Sequence, residues 1–539
     1  MSRPNTFVFT GILALLGGVM AFMALSKGVL LITAHEGDIY HLLDILFRLD
    51  AGQVQHKDFM TPLGILAFLP AAEFMERGYG VGYSLLAGQV VVAAVLLPVI
   101  IYAALTRLPS LAAYIFGVYL LVLIFAMIYG GAGVETSVSM QYNRWAWAIA
   151  FPLVVLAVLD PIGRDRPWLD GLIIGACLSA LVLLKITFFL ALLPGVVFAL
   201  AARRDWPRLI YMTAAGAVTF LAMSAWLGYG FWIGYLSDLL TVAGSTARPY
   251  PGVSLPELIS SPSHMVPILL GLFAYMYLGK SDRRIEALAI LIFLPGLVYI
   301  TYQNFGNDPK WLMLFAILLL ALYQQLRGSS SLGSETGIEI PILASVAIAL
   351  ALPSAATLGL SQLRHFARSD EIYVPMLPQQ IGHQDILVQA NRAFTMNAEI
   401  ELDRREPYWH KYSELAGRGE PISLAGTEFP RCELAAASLA FLEGISADLE
   451  TANLPENSQI FTTDILTVFW LFTSDQPLEG GAPWYYGGLS GLENADFVLV
   501  PKCSFYGLMH SVMIDELNAA PVTLYPVREN ELYVLFQVG

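Results

Sequence analysis

The sequence predicts a polytopic α-helical membrane protein with about 11 transmembrane helices, interfacial helices in the first external loop, and a C-terminal soluble α/β domain outside the cytoplasm. Three observations predict it. The 539 residues are 56% hydrophobic and only 13% charged, where soluble domains carry about 25% charged residues. Apolar segments of about 20 residues, the length that crosses a bilayer, recur through the first two thirds. Charge is segregated: residues 1–360 hold 19 basic and 19 acidic side chains, residues 361–539 hold 10 and 24. The net charge of −14 thus belongs to 361–539, read as a soluble domain beside a transmembrane domain over 1–360. Its acidity argues against nucleic acid and against anionic lipid as partners. Three cysteines are too few for a disulfide scaffold or zinc cluster. Cys432 and Cys503 both fall in the acidic part, where a location outside the cytoplasm would let them pair.

Taken in order, Met1–Asn5 is short and precedes an apolar run too long for a cleaved signal peptide, so it reads as a retained first span. Spans are expected near 8–33, 82–106, 110–129, 145–160, 169–184, 186–202, 209–227, 264–279, 285–302, 310–326 and 338–359. Segment 61–77 is broken by Pro62 and Pro70 and carries Glu73 and Glu76, and it reads as an interfacial or re-entrant helix. Topology agrees. If 61–77 does not cross, Arg107, Arg164/Arg166, Arg203/Arg204/Arg208, Lys280/Arg283/Arg284 and Arg327 share the side of Arg3, which the positive-inside rule makes cytoplasmic. The first external loop (34–80), the loops 130–143, 228–263 and 303–309, and the C-terminal domain then lie outside. Lys185 interrupts about 30 otherwise apolar residues within 169–202. Two helices joined by a tight turn at the outer leaflet avoid an unpaired ammonium in lipid, which costs several kcal/mol. Past residue 360, SQIFTTDILTVFWLFT, ADFVLVPK, VTLYPV and ELYVLFQV read as strand-forming runs, and CELAAASLAFLEGISADLE as a helix.

The chemistry gathers around His35-Glu36-Gly37-Asp38, where the chain leaves its first apolar run. Carboxylates at a bilayer edge are costly unless they bind something or react, and Gly37 allows a turn there. Ile39, Leu42, Leu43 and Leu46 then recur at helical spacing opposite His41, Asp44 and Arg48, an amphipathic helix suited to the membrane surface. A second polar patch, His56-Lys57-Asp58, follows. Three more clusters fall on the same face: Gln141-Tyr142-Asn143-Arg144 ahead of Trp145 and Trp147, Lys185, and Tyr302 to Lys310, which includes Asn304, Asn307 and Asp308. The carboxylates suit a general base or a divalent cation. Arg144, Lys185 and Lys310 suit a phosphate. Taken singly, the cations also fit snorkelling side chains, and the aromatics an interfacial belt.

An acidic pair after the first span, an interfacial helix, a second acidic patch and a second interfacial helix resemble the first external loop of the GT-C glycosyltransferases. That class includes the aminoarabinose, O-mannosyl and arabinofuranosyl transferases. HEGD at 35–38 is similar to their acidic signature, with one glycine between acids that are adjacent in some members. The resemblance covers roughly 8–260. It implies transfer of a sugar from a polyprenyl-phosphate donor to a glycan, lipid or protein acceptor on the outer face of the cytoplasmic membrane, usually with inversion. It makes Asp38 the base with Glu36 as runner-up, and gives the donor phosphate to Arg144, Lys185 and Lys310. Tyr142, Asn143, Asn304, Asn307 and Asp308 would line the substrate. His56 and Asp58 would orient the acceptor or, with Glu36, complete a site for a divalent metal ion, whose use varies within the class. Two other readings compete. A flippase of lipid-linked saccharide would explain Lys185, but no inverted repeat is visible. An O-antigen ligase or polymerase would place its chemistry in 228–263, near Asp238, Arg248 and His264.

Overall fold

The computed structural model describes residues 3–130, 133–246, 254–304, 309–328, 336–395, 398–400 and 421–539, except 435, 453, 456 and 474. Helix α1 (Thr6–Lys27) ends at Gly28, whose φ of 70° is the left-handed C-cap that favours glycine. The following Leu30–Ile32 is a buried strand, β1, not the last turn of a span reaching residue 33. Short helices α2 (Glu36–Asp50) and α3 (Leu69–Met75) come next, with a 3₁₀ turn at Ile65–Ala67. Segment 61–77 therefore contains no crossing helix. The bundle continues with α4 (Val81–Arg107), α5 (Ser110–Phe125), α6 (Gln141–Val158), α7 (Pro167–Leu184), α8 (Ile186–Ala202) and α9 (Trp206–Leu227). It is completed by α10 (Gly230–Ala243), α11 (Leu255–Ser260), α12 (Pro262–Gly279), α13 (Arg284–Gln303), α14 (Trp311–Gly328) and α15 (Thr336–Ala367). Each of the eleven expected spans falls on one of these helices. Among the described residues seven, α1, α4, α7, α9, α12, α13 and most of α15, are long and apolar enough to cross a membrane, while α5, α8 and α14 are apolar but shorter. The chain is a multi-pass membrane protein.

The basic loops meet at one end of the bundle, as the parity of the spans requires. Arg107 Nη2 donates to Asp170 Oδ2 at 2.5 Å and Arg208 Nε to the same oxygen at 3.0 Å. Arg203 Nη2 reaches Glu286 Oε1 at 2.9 Å, beside Arg283 at 3.1 Å. Ion pairs of this kind let charges sit at a helix bundle's edge without an unpaired partner. Gly171 and Gly175 bring α7 against α9: a Cβ at either would run into the Arg208 or Met212 carbonyl, the close approach small residues allow in membranes. Gly175→Val is expected to cost about 1–3 kcal/mol by overpacking, read as a lowered thermal midpoint of the purified protein.

The last third supplies β2 (Tyr373–Pro375), β3 (Ile386–Gln389), α16 (Ala390–Phe394), β4 (Ala398–Ile400), β5 (Ile422–Leu424), β6 (Thr427–Phe429), β7 (Cys432–Leu434) and α17 (Ser438–Thr451). It ends with β8 (Ile460–Thr462), β9 (Phe497–Pro501), α18 (Gly507–Ala519), β10 (Leu524–Glu529) and β11 (Tyr533–Val538). The four-stranded sheet runs β10-β11-β9-β8, with β8 parallel to β9 and the rest antiparallel. The runs ADFVLVPK, VTLYPV and ELYVLFQV are strands as their pattern predicts. In SQIFTTDILTVFWLFT the strand is confined to 460–462, and Val468–Phe472 is a 3₁₀ turn. In CELAAASLAFLEGISADLE the first residues form β7 and the helix begins at Ser438. Cys432 and Cys503 form a disulfide, their Cα atoms 4.5 Å apart.

The two parts are sewn together at the end of the bundle opposite the basic loops. β1 pairs in parallel with β3, giving a three-stranded sheet of order β1-β3-β2. Asp385, just before β3, accepts the Gly82 and Tyr83 amides at 3.0 and 2.7 Å and so caps α4. Helix α2 is packed within the protein on most of its circumference, eleven of its fifteen residues being buried. Its polar side is covered by the C-terminal region. Asp44 accepts from Arg48 Nε at 2.5 Å, Trp470 Nε1 at 3.1 Å and Thr467 Oγ1 at 3.3 Å. Arg48 donates to the Leu478 carbonyl at 3.1 Å and lies over the rings of Phe59 and Trp470. His41 faces Trp484, and burial pushes its imidazole down to about 3, so it is neutral at physiological pH. An amphipathic pattern requires only that the polar face find polar partners, and here protein supplies them in place of water.

Candidate functional site

The left-handed residue at the start of the HEGD turn is His35, at φ 64°, with Gly37 already inside α2. A non-glycine residue there persists only where its surroundings hold it. The His35 ring packs edge-on against Tyr129, 4.6 Å between centroids. Thr33 N donates to the Thr136 carbonyl at 2.9 Å, and Thr136 N returns a bond to Thr33 Oγ1 at 2.7 Å. This zips the approach to α2 against the approach to α6, where Met140 is a second left-handed N-cap at φ 49°. Three residues beyond Thr136, Ser139 Oγ donates to Asp38 Oδ2. Asp38 also sits in the first turn of α2, where the helix dipole favours a carboxylate.

Ser139 links Asp38 to the first cation, since its carbonyl accepts from Arg144 Nη1 at 3.0 Å. Arg144 is 1% exposed, and its Nε and Nη2 have no hydrogen-bond partner among the described residues. Donors left so at a buried guanidinium are costly, and an anion would satisfy both.

Lys185 is the extended residue between α7 and α8, so the apolar run breaks where the lysine sits. The freed Leu184 carbonyl accepts from Gly64 N at 3.2 Å, and a Cβ on Gly64 would collide with the Leu183 carbonyl. Lys185 Nζ donates to Asn304 Oδ1 at 2.7 Å and Asn143 Oδ1 at 3.0 Å, and lies 5.6 Å from the Tyr142 ring centroid. Asn143 Nδ2 donates in turn to Asn304 Oδ1 at 3.1 Å. Lys310, 5% exposed, shares a small cavity with Tyr129, Met140, Asn143, Trp147, Thr301 and Asn304. Asp38, Arg144, Lys185, Lys310, Tyr142, Asn143 and Asn304 thus form one connected neighbourhood, with Tyr129 reaching back to His35. Asn307 and Asp308 lie outside the described residues.

The other expected residues are engaged elsewhere. Both Glu36 oxygens face Arg392, with Nη2 at 2.7 Å from Oε2, and this pairing raises the guanidinium's hold on its proton. His56 Nδ1 lies 2.7 Å from Asp238 Oδ2 on α10, with its ring against Phe231 and Tyr235. Asp58 Oδ2 accepts the Val54 amide at 2.7 Å and closes a turn. Glu36, His56 and Asp58 are thus each paired with a different partner, Arg392, Asp238 and the Val54 amide. Among the described residues no three His, Cys, Asp or Glu side chains are grouped to hold a metal ion. Sequence reasoning missed Ser139 and Arg392. The hydroxyl run Thr136-Ser137-Ser139 beside QYNR is a signal for the first, and nothing local marks the second.

No protein-family model matches the chain, and no curated protein matches it. Among solved structures it is similar to the crystal structure of ArnT from Cupriavidus metallidurans in the apo state, over 97% of each chain, with 10% identity and a TM-score of 0.35.

Proposed function

We propose that this chain is an inverting membrane glycosyltransferase that moves a sugar from a polyprenyl-phosphate donor to a hydroxyl of a glycan, lipid or protein acceptor. The site and the soluble domain over 361–539 face outward from the cytoplasmic membrane, and residues 1–360 form the transmembrane catalytic domain. The observation that carries this reading is the convergence of one carboxylate, Asp38, and three cations, Arg144, Lys185 and Lys310, from four distant segments at one end of an apolar bundle. Asp38 removes the acceptor hydroxyl proton as that oxygen bonds to the anomeric carbon. The carbon–oxygen bond to phosphate breaks, and its electron pair leaves with the polyprenyl phosphate. Arg144, Lys185 and Lys310 meet the charge that develops on that leaving group, the term usually largest in such catalysis. Asn143 and Asn304 hold the Lys185 ammonium in place, so little reorganisation is needed at the moment of reaction.

The test is to incubate the purified protein with polyprenyl-phosphate-linked sugars and measure released polyprenyl phosphate. Lys185→Met is expected to lower release about 10²–10³-fold, the usual effect of losing one preorganised donor, with Lys185→Arg retaining more. Wild-type release no greater than that of a boiled control with every sugar tried would overturn the proposal.

A further inference from the structure

We propose that Arg392 is a positioning residue for Asp38, so that the C-terminal region is a working part of the site and not an appendage. The inference rests on the reading of Asp38 as the base and deepens it. Its ground is a register. β1 and β3 run parallel, with Leu30 opposite Ile386, Leu31 opposite Leu387 and Ile32 opposite Val388. Parallel strands leave their pairing in the same direction, so the segments after β1 and β3 start out side by side. Glu36 and Arg392 stand at equal distances past Ile32 and Val388, and they meet through a two-pronged ion pair. Fork-to-carboxylate geometry fixes direction as well as distance.

The clamp acts where the chain has most need of it. Glu36 opens α2, whose N-cap His35 is in the left-handed region, and Asp38 follows in the same turn. Arg392 is itself anchored: its carbonyl accepts from Ala437 N at 3.0 Å, and Ala390 N donates to the Ile372 carbonyl at 2.9 Å. Holding Glu36 from this fixed point sets the rotation of the first turn, and with it the direction of the Asp38 carboxylate towards Ser139. Glu36 is thereby spoken for by a counterion, which leaves the role of base to Asp38.

The experiment uses the full chain in detergent and two readouts, amide hydrogen exchange over residues 35–41 and turnover of the polyprenyl-phosphate sugar the wild type accepts. Arg392→Ala is expected to speed exchange in that turn at least tenfold. It should lower kcat about 10- to 100-fold, as small misplacements of catalytic groups do, with donor KM changed less than threefold. Arg392→Lys should fall between, and the swap Glu36→Arg with Arg392→Glu should recover protection and part of the turnover. Arg528→Ala, which breaks the Asp448 pair elsewhere in the same region, should leave both readouts at wild-type values. Wild-type exchange in Arg392→Ala, or a swap no better than the single variants, overturns the inference. Should no polyprenyl-phosphate sugar be a substrate, the transferase reading fails, and exchange in the first turn of α2 still decides whether Arg392 positions it.

Discussion

Asp38→Asn is expected to reduce sugar transfer by about 10²–10⁴-fold, the range for removing a positioned general base, with no change in thermal midpoint. The amide matches the carboxylate in shape, and its Oδ1 can still accept from Ser139 Oγ, so the junction of α2 with the approach to α6 is preserved. What it loses is the capacity to take a proton. Released polyprenyl phosphate measures the first half of the expectation, and a melting curve on the same sample the second. An enzyme working in the 228–263 loop would keep its activity in this variant, and a transporter would change only if Asp38 carried an ion. Release within threefold of wild type would remove Asp38 from the mechanism.

The largest effect on stability is expected from Arg48→Ala. Arg48 and Asp44 have fully buried side chains. Truncating the arginine leaves the Asp44 carboxylate with Trp470 and Thr467 as donors and no counterion. Breaking a buried pair from one side costs about 3–5 kcal/mol, and the cation–π contacts with Phe59 and Trp470 go with it. The double variant Asp44→Leu with Arg48→Met should recover much of that loss, because an apolar pair in the same space carries no desolvated charge. Arg77→Ala, which breaks a solvent-exposed pair with Glu73, should cost less than about 1 kcal/mol. Thermal unfolding ranks the three, and an Arg48→Ala midpoint equal to that of Arg77→Ala would refute the account.

The two cases show what the sequence can and cannot carry. The spans were legible because about 20 consecutive apolar residues can satisfy their backbone in lipid as a helix, and the arginines at their ends fix parity. Lys185 was legible as a break because an ammonium and an apolar helix conflict locally. The gathering of Arg144, Lys185 and Lys310 followed from their shared membrane side. Asp38 is preferred to Glu36 on resemblance alone, and the partner that engages Glu36, Arg392, lies far along the chain where nothing local announces it. The same holds for α2, whose amphipathic period identifies a polar face without saying whether water or Trp470 covers it. The missed strand at 30–32 has that cause too, since three apolar residues continue a span as readily as they start a sheet.

The Glu36–Arg392 clamp joins positions 356 residues apart, and this orders the protein's own biogenesis. At about 5–20 residues per second of synthesis, the first strand waits roughly 20–70 s for the one it pairs with. Until then β1 has no strand to pair with, α4 lacks the Asp385 cap, and α2 lacks its cover. A ribosome that stalls after the last span leaves a bundle in the bilayer whose first turn of α2 was never held by Arg392.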